Sequence, residues 1–229
     1  REYSETERHK DMDKELVEKK INEMAGPLQI LEAGCGRKWP LDLDVPHKLT
    51  GIDLDADAIS ARTDLDATVV GDLRSHVFPE HSFDVIYCCY VLEHVPGAAQ
   101  VLENFARWVR PGGLIVIKVP DPESVFGWAT RNTPHWFHVM FKRYFMGFKR
   151  AGQVGHGPYR TYYDRAITEG GIREFARSHN FALENVEKTG DYLRGRVVKY
   201  SAILLHYLSL RSLPWRHNNI SYVIRAQAA

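Results

Sequence analysis

The run Ile30-Leu31-Glu32-Ala33-Gly34-Cys35-Gly36, read with Asp53 and Asp72 downstream, limits the fold more than any other part of the chain. An apolar stretch enters a tight glycine turn, where the missing Cβ atoms let a ligand approach the backbone. The next apolar stretch ends in Asp53 and the one after it ends at Gly71-Asp72. Apolar strands closed by glycine and then by carboxylates form a nucleoside-binding edge on a parallel sheet, since a carboxylate at a strand end can accept from both hydroxyls of a ribose.

A dinucleotide fold carries G-x-G-x-x-G, whose third glycine packs helix against strand. After Gly36 come Arg37, Lys38, Trp39 and Pro40, so no third glycine stands there. Pro40 and Pro46 also disfavour the regular helix whose N-terminus would hold a pyrophosphate. Glu32 would repel such a group and suits a ligand bearing an ammonium and a sulfonium.

At this point the chain resembles the class I S-adenosylmethionine-dependent methyltransferases. The blocks are Leu31-Glu32-Ala33-Gly34-Cys35-Gly36, Gly51-Ile52-Asp53-Leu54, Gly71-Asp72-Leu73, Phe83-Asp84-Val85-Ile86 with Leu92-Glu93-His94-Val95, and Arg110-Pro111-Gly112-Gly113-Leu114, in family order over residues 28–120. The resemblance implies S-adenosyl-L-methionine as cofactor and a Rossmann-like, seven-stranded, mostly parallel sheet. Strand seven is then antiparallel, helices cover both faces, and an aromatic, basic lid is inserted after strand five. It also implies the site. Gly34, Cys35 and Gly36 line the amino-acid end of the cofactor, and Glu32 reaches its ammonium. Asp53 takes the ribose hydroxyls, beside Leu54. Asp72 accepts from the adenine amine while Leu73 donates to the ring, and backbone at Cys88 flanks the sulfonium. His94 sits where relatives aim residues at the transferred methyl, and an imidazole can accept a proton near neutral pH.

The pattern divides the chain into residues 1–26, an amphipathic helix covering the site; 27–122, the cofactor-binding half; 123–165, the lid; and 166–229, the rest of the same domain. Strands are predicted at 28–33, 49–53, 67–70, 83–88, 114–119, 183–189 and 220–226. Helices are predicted at 5–25, 56–61, 98–108, 134–148, 167–178 and 197–209, with a glycine hinge at 152–157. The segment after Gly36 is expected to be short or irregular. Asp55 and Asp57 read as a helix cap and first-turn acid.

Between Glu123 and Asp164 the chain has no Asp or Glu, many aromatics and several Arg and Lys. Such a lid favours a small apolar acceptor that is anionic or lipid-like. Tyr90, His135, His138, Tyr162 and Tyr163 are its candidate contacts, with His156 and Tyr159 beside them. The same segment and the basic-flanked helix at 197–209 could instead lie on an anionic membrane surface.

Composition excludes rather than selects. A net charge of +1 nominates no nucleic acid. The three cysteines, two of them adjacent, give neither a disulfide framework nor zinc spacing, and no metal is expected. The expected setting is cytoplasmic, with peripheral contact to a membrane and homo-oligomerisation left open. Two other functions also stay open: a methyltransferase of protein or RNA, and a non-catalytic cofactor-binding module.

Overall fold

The computed structural model describes residues 5–144, 149, 152, 159–190 and 196–228. Seven strands form one sheet: β1 Leu28–Ala33, β2 His47–Asp53, β3 Ala67–Val70, β4 Phe83–Cys89, β5 Val109–Pro120, β6 Ala182–Thr189 and β7 Asn219–Arg225. Their order is β3-β2-β1-β4-β5-β7-β6. The strands from β1 to β5 pair parallel, and β7 runs antiparallel between β5 and β6. Around the sheet lie α1 Glu5–Asn22, α2 Ala56–Ser60, α3 Ala98–Trp108, α4 Val125–Asn132, α5 His135–Tyr144, α6 Glu169–Ser178 and α7 Arg196–Leu208. This is the fold the sequence implies.

Alternation along each strand sends side chains to two apolar cores. On one face Leu31, Ile86, Cys88, Ile115 and Ile117 pack with Val101, Leu102, Phe105 and Trp108 of α3. On the other, Ile30, Val85, Tyr87, Leu114 and Val116 pack with Val17 and Ile21 of α1, one helical turn apart. The chain progresses from β1 outward to β3, then returns to the other side of β1 with β4. That reversal opens a crevice at the carboxyl ends of β1 and β4, where ligands of open α/β sheets bind.

Two elements differ from those expected, and one stretch is irregular as expected, each for a physical reason. Between β1 and β2 no helix forms, because α1 supplies other partners for that backbone. Glu18 Oε1 accepts Asp42 N–H at 2.5 Å, and Asn22 Oδ1 accepts Asp44 N–H at 3.0 Å and Val45 N–H at 3.2 Å. β5 starts at Val109 rather than 114, carried through Arg110-Pro111-Gly112-Gly113 by pairing of Val109 with Phe83. The unforeseen α4 is capped by Ser124, whose Oγ accepts Gly127 N–H at 3.1 Å. The end of the predicted helix at 134–148, His156, and the hinge apart from Gly152 lie outside the described residues.

Candidate functional site

The glycine turn is shaped by backbone that only glycine adopts readily. Gly34 has φ +74° and Gly36 φ +50°. A Cβ on Gly34 would lie 2.2 Å from Val91 Cγ2, whereas one on Gly36 would meet nothing within 4 Å. The turn is thus packed against the β4 side at Gly34 and open at Gly36, a cradle that a ligand can enter. Asp53, at the end of β2, closes it: its carboxylate accepts Gly36 N–H at 2.9 Å through Oδ2 and Asp55 N–H at 2.9 Å through Oδ1. Asp55 caps α2 by accepting Ala58 N–H at 3.0 Å, as expected.

Behind the turn lies a charge cluster whose Arg62 and Glu32 side chains are buried and whose Asp64 reaches the surface. Arg62, 8% exposed, donates to Glu32 Oε2 at 2.9 Å, to the Cys35 carbonyl at 2.7 Å and to both Asp64 oxygens at 2.7 Å. Burial pushes the Glu32 carboxyl up to about 7 against the pull of Arg62. Arg62 itself is raised, mainly by its bonds to Asp64, while Asp64 is lowered by the same contact. Burial, with Glu32 next to it, pushes the Cys35 thiol up to about 12.

At the edge of β3, Asp72 is held by Arg74, whose guanidinium donates to both carboxylate oxygens, and the pair keeps Asp72 below the usual carboxylate range. Leu73 is 6% exposed, and Leu54 is 72% exposed. The buried Asn104 of α3 donates to the Leu73 carbonyl at 2.7 Å and the Arg74 carbonyl at 3.1 Å, fixing this turn.

After β4 the chain turns through Tyr90, whose φ of +57° is rare for a non-glycine residue, into a 3-10 turn at Leu92–His94. The His94 Nδ1 lies 2.9 Å from the Arg160 carbonyl, which can only accept, so Nδ1 carries the proton and Nε2 is the basic nitrogen. Tyr162 N–H donates to the Glu93 carbonyl at 2.8 Å, and the Tyr159 ring meets His94 edge-on at 5.6 Å. Residues 159–162 therefore wall this turn. Glu93 is 2% exposed, and its Oε2 has no hydrogen-bond partner among the described residues. Burial pushes its carboxyl up to about 8.

A cavity of about 520 Å³ opens beside the turn, lined by Glu32 and residues 33–36, by Tyr87, Cys89 and Tyr90, and by Lys14 and Val17 of α1 among others. Strand alternation decides which cysteine meets it. Cys88 turns into the opposite core, where burial raises its thiol well above the ordinary value, and Cys89 lines the cavity. Tyr162 is 46% exposed with Arg160 over its ring at 5.5 Å, and Tyr163 packs on the α3-side core. His135 and His138 stand on α5 away from the cavity lining, with His138 Nε2 2.5 Å from Thr133 Oγ1.

Arg62 and Asn104 escape the sequence reading, which names Tyr159 and Tyr162 but not the hydrogen bonds that tie their segment to the Leu92–His94 turn. An arginine just past a five-residue helix, or an asparagine inside an amphipathic one, carries no spacing signal. Lys118 on β5 is different: a charge breaking an apolar strand run is itself a signal.

Residues 31–117 match a family model described as a methyltransferase domain. A probable S-adenosylmethionine-dependent methyltransferase of Mycolicibacterium smegmatis is 30% identical over 112 residues, covering 47% of this chain and 44% of the relative. The ubiquinone biosynthesis O-methyltransferase of Sodalis glossinidius is 29% identical over 117 residues, covering 47% and 43%. The chain thus spans less than half the length of these relatives. Among solved structures, a Haemonchus contortus phosphoethanolamine N-methyltransferase 2 in complex with S-adenosyl-L-methionine superposes with a TM-score of 0.57 at 12% identity, covering 96% of this chain and 53% of that one. At that identity the likeness speaks for the fold alone.

Proposed function

We propose that the chain, whose residues 31–117 match a methyltransferase domain, acts as a class I S-adenosylmethionine-dependent methyltransferase and transfers a methyl group from S-adenosyl-L-methionine to a small acceptor with an apolar body. The observation that carries this reading is the joint between Gly36 and Asp53: an open glycine turn closed at 2.9 Å by a strand-end carboxylate.

The residues present fit the cofactor. Asp53 would hold the ribose, Gly34 and Gly36 the amino-acid end, and Asp72 with Leu73 the adenine. When bound, the cofactor supplies an electrophilic methyl on a good leaving group. The protein then contributes alignment and exclusion of water. His94, with Nδ1 committed to Arg160, takes a proton at Nε2 from an acceptor hydroxyl or ammonium. Glu32, neutralised by Arg62, supports the turn from behind and lines the cavity at the amino-acid end.

In this reading residues 159–162 wall the acceptor side of the Leu92–His94 turn, and α1 lines the cavity with Lys14 and Val17. The exposed Trp136 on α5 and Leu204, Tyr207 and Leu208 on α7 favour a second use, contact with a membrane surface or a lipid-like acceptor. Co-sedimentation with anionic vesicles tests that use.

The central test is calorimetric titration with S-adenosylhomocysteine, beside NAD as control. Micromolar binding of the first alone is expected, with a loss of at least about a hundredfold in Asp53→Ala, which removes charge-assisted bonds to the ligand and the Gly36 contact together. Binding of NAD, or undiminished binding by Asp53→Ala, would sink the assignment.

A further inference from the structure

The cavity beside the glycine turn is electrostatically one-sided. On β5, Leu114 and Val116 face the α1-side core, and Lys118, two residues on, takes the same face where the strand leaves that core. In register beside it stand Cys89 on β4 and Ser221 on β7, both in the cavity lining. The Lys118 Nζ lies 6.0 Å from the centroid of the Tyr90 ring, so a cation–π contact steadies its ammonium. Lys14 of α1 and the exposed Arg37 and Lys38 complete the rim. Lys14 has Glu18 at 3.2 Å, while Arg37 and Lys38 have no ion-pair partner among the described residues. Among the described residues the lining holds one carboxylate, Glu32, and Arg62 already neutralises it at 2.9 Å. Between the cations the wall is apolar, built by Val17, Leu41, Tyr87 and Val116.

We propose that the β4–β5 side of this cavity, beyond the glycine turn that the cofactor's amino-acid end would fill, is the acceptor site, that it takes an acceptor bearing a carboxylate or phosphate, and that Lys118 is the residue that recognises the anion. The proposal rests on the methyltransferase reading, since it calls the ligand an acceptor. The same anion chemistry could come from the cofactor's own carboxylate. Position favours the acceptor: the glycine turn ends β1, and β4 intervenes before β5, so Lys118 stands about 10 Å across the sheet from that turn by strand spacing. A four-carbon stem with a compact ammonium suits a carboxylate or a phosphate as a point charge.

The experiment uses hexyl phosphate and hexanol, which share an apolar body and differ by the anion. Each is titrated into the protein loaded with S-adenosylhomocysteine, for wild type, Lys118→Met and Lys118→Gln. The second variant covers the case where methionine disturbs folding, which far-ultraviolet circular dichroism reports. Expected is at least about a tenfold preference of wild type for hexyl phosphate, matching one charge-assisted contact. Either variant is expected to reduce that preference to about twofold while leaving the S-adenosylhomocysteine affinity within about twofold of wild type. Equal binding of the two probes by wild type overturns the proposal, as does a preference that survives in both variants. Weakening of S-adenosylhomocysteine by as much as hexyl phosphate also overturns it, because Lys118 then reads the cofactor. Failure of wild type to bind S-adenosylhomocysteine removes the methyltransferase reading instead. The probe comparison is then run on the unloaded protein and still decides whether the cavity selects anions.

Discussion

The Arg62 guanidinium reaches from just past α2 to the end of β1 and meets the Glu32 carboxylate at 2.9 Å, with both side chains closed off from solvent. The same guanidinium holds the Cys35 carbonyl, so the pair is a brace for the glycine turn as well as a neutralised charge.

Breaking that brace has a pH-dependent cost. In Arg62→Met the buried Glu32 loses its counter-charge, and its carboxyl moves further above the value of about 7 it has beside Arg62. At pH 6 protonation relieves the variant. At pH 8.5 the fold must bury an unpaired carboxylate or hold a proton against the solution. Urea unfolding at the two pH values is expected to show a destabilisation that grows with pH towards about 3–5 kcal/mol. Glu32→Gln in the same background is expected to recover part of it. A loss independent of pH would mean that Arg62 acts through packing alone.

The two glycines of the turn are expected to respond unequally. Gly34→Ala sets a Cβ at 2.2 Å from Val91 in a left-handed backbone, and both steric crowding and strain follow. Gly36→Ala meets nothing within 4 Å and carries only the backbone cost, about 1–2 kcal/mol. Thermal unfolding is expected to rank Gly34→Ala well below Gly36→Ala. The double variant Gly34→Ala with Val91→Ala recovers the crowding and keeps the strain. Equal stabilities would show that Val91 yields freely.

Glu93 predicts a stability slope. Its folded carboxyl titrates near 8, above the ordinary 4.5 of an unfolded glutamate, so between those values the folded state holds the extra proton. Stability is therefore greatest below about pH 4.5 for this group and falls as pH rises through 8, by roughly 5 kcal/mol if no other group responds. Glu93→Gln keeps the neutral shape and is expected to match wild type near pH 5 and exceed it at pH 8.5. A wild-type profile with no such fall, or a glutamine variant that follows it, would refute the buried acid.

His94 is tested by separating binding from turnover. His94→Gln is expected to leave S-adenosylhomocysteine affinity unchanged and to lower kcat with a turned-over acceptor by about 10²–10⁴-fold. The variant's rate is also expected to lose any bell-shaped dependence on pH that wild type shows. A comparable drop in cofactor affinity would make His94 a support of the turn at Leu92–His94 rather than a proton acceptor.

The glycine turn and its strand-end carboxylate were legible in the sequence because their requirements are local. A glycine turn, a strand-end aspartate and a helix-capping aspartate each announce themselves within a few residues, and Gly34, Gly36, Asp53 and Asp55 stand where those rules put them. Strand identity was equally legible, since both buried faces impose continuous apolar runs. What stayed hidden depends on partners far apart in the chain. Arg62 meets Glu32 across 30 positions and Asn104 meets Leu73 across 31, and no periodicity encodes either contact. The stretch between β1 and β2 was anticipated as irregular from its prolines, but not that Glu18 and Asn22 of α1 would fasten it. The aromatic, basic segment drew attention as the source of acceptor contacts. Strand alternation also turns Lys118 and Cys89 towards the cavity, a consequence of register that composition does not express.

The hydrogen bonds that join Arg160 and Tyr162 to the Leu92–His94 turn, accepted by the Arg160 carbonyl and donated by the Tyr162 N–H, span 66 positions in the case of His94. The portion matched by the methyltransferase family model ends at residue 117, so the piece that fixes the histidine's tautomer lies outside the shared part. A chimera that exchanges it must respect one narrow condition: a carbonyl returned to His94 and an N–H returned to Glu93.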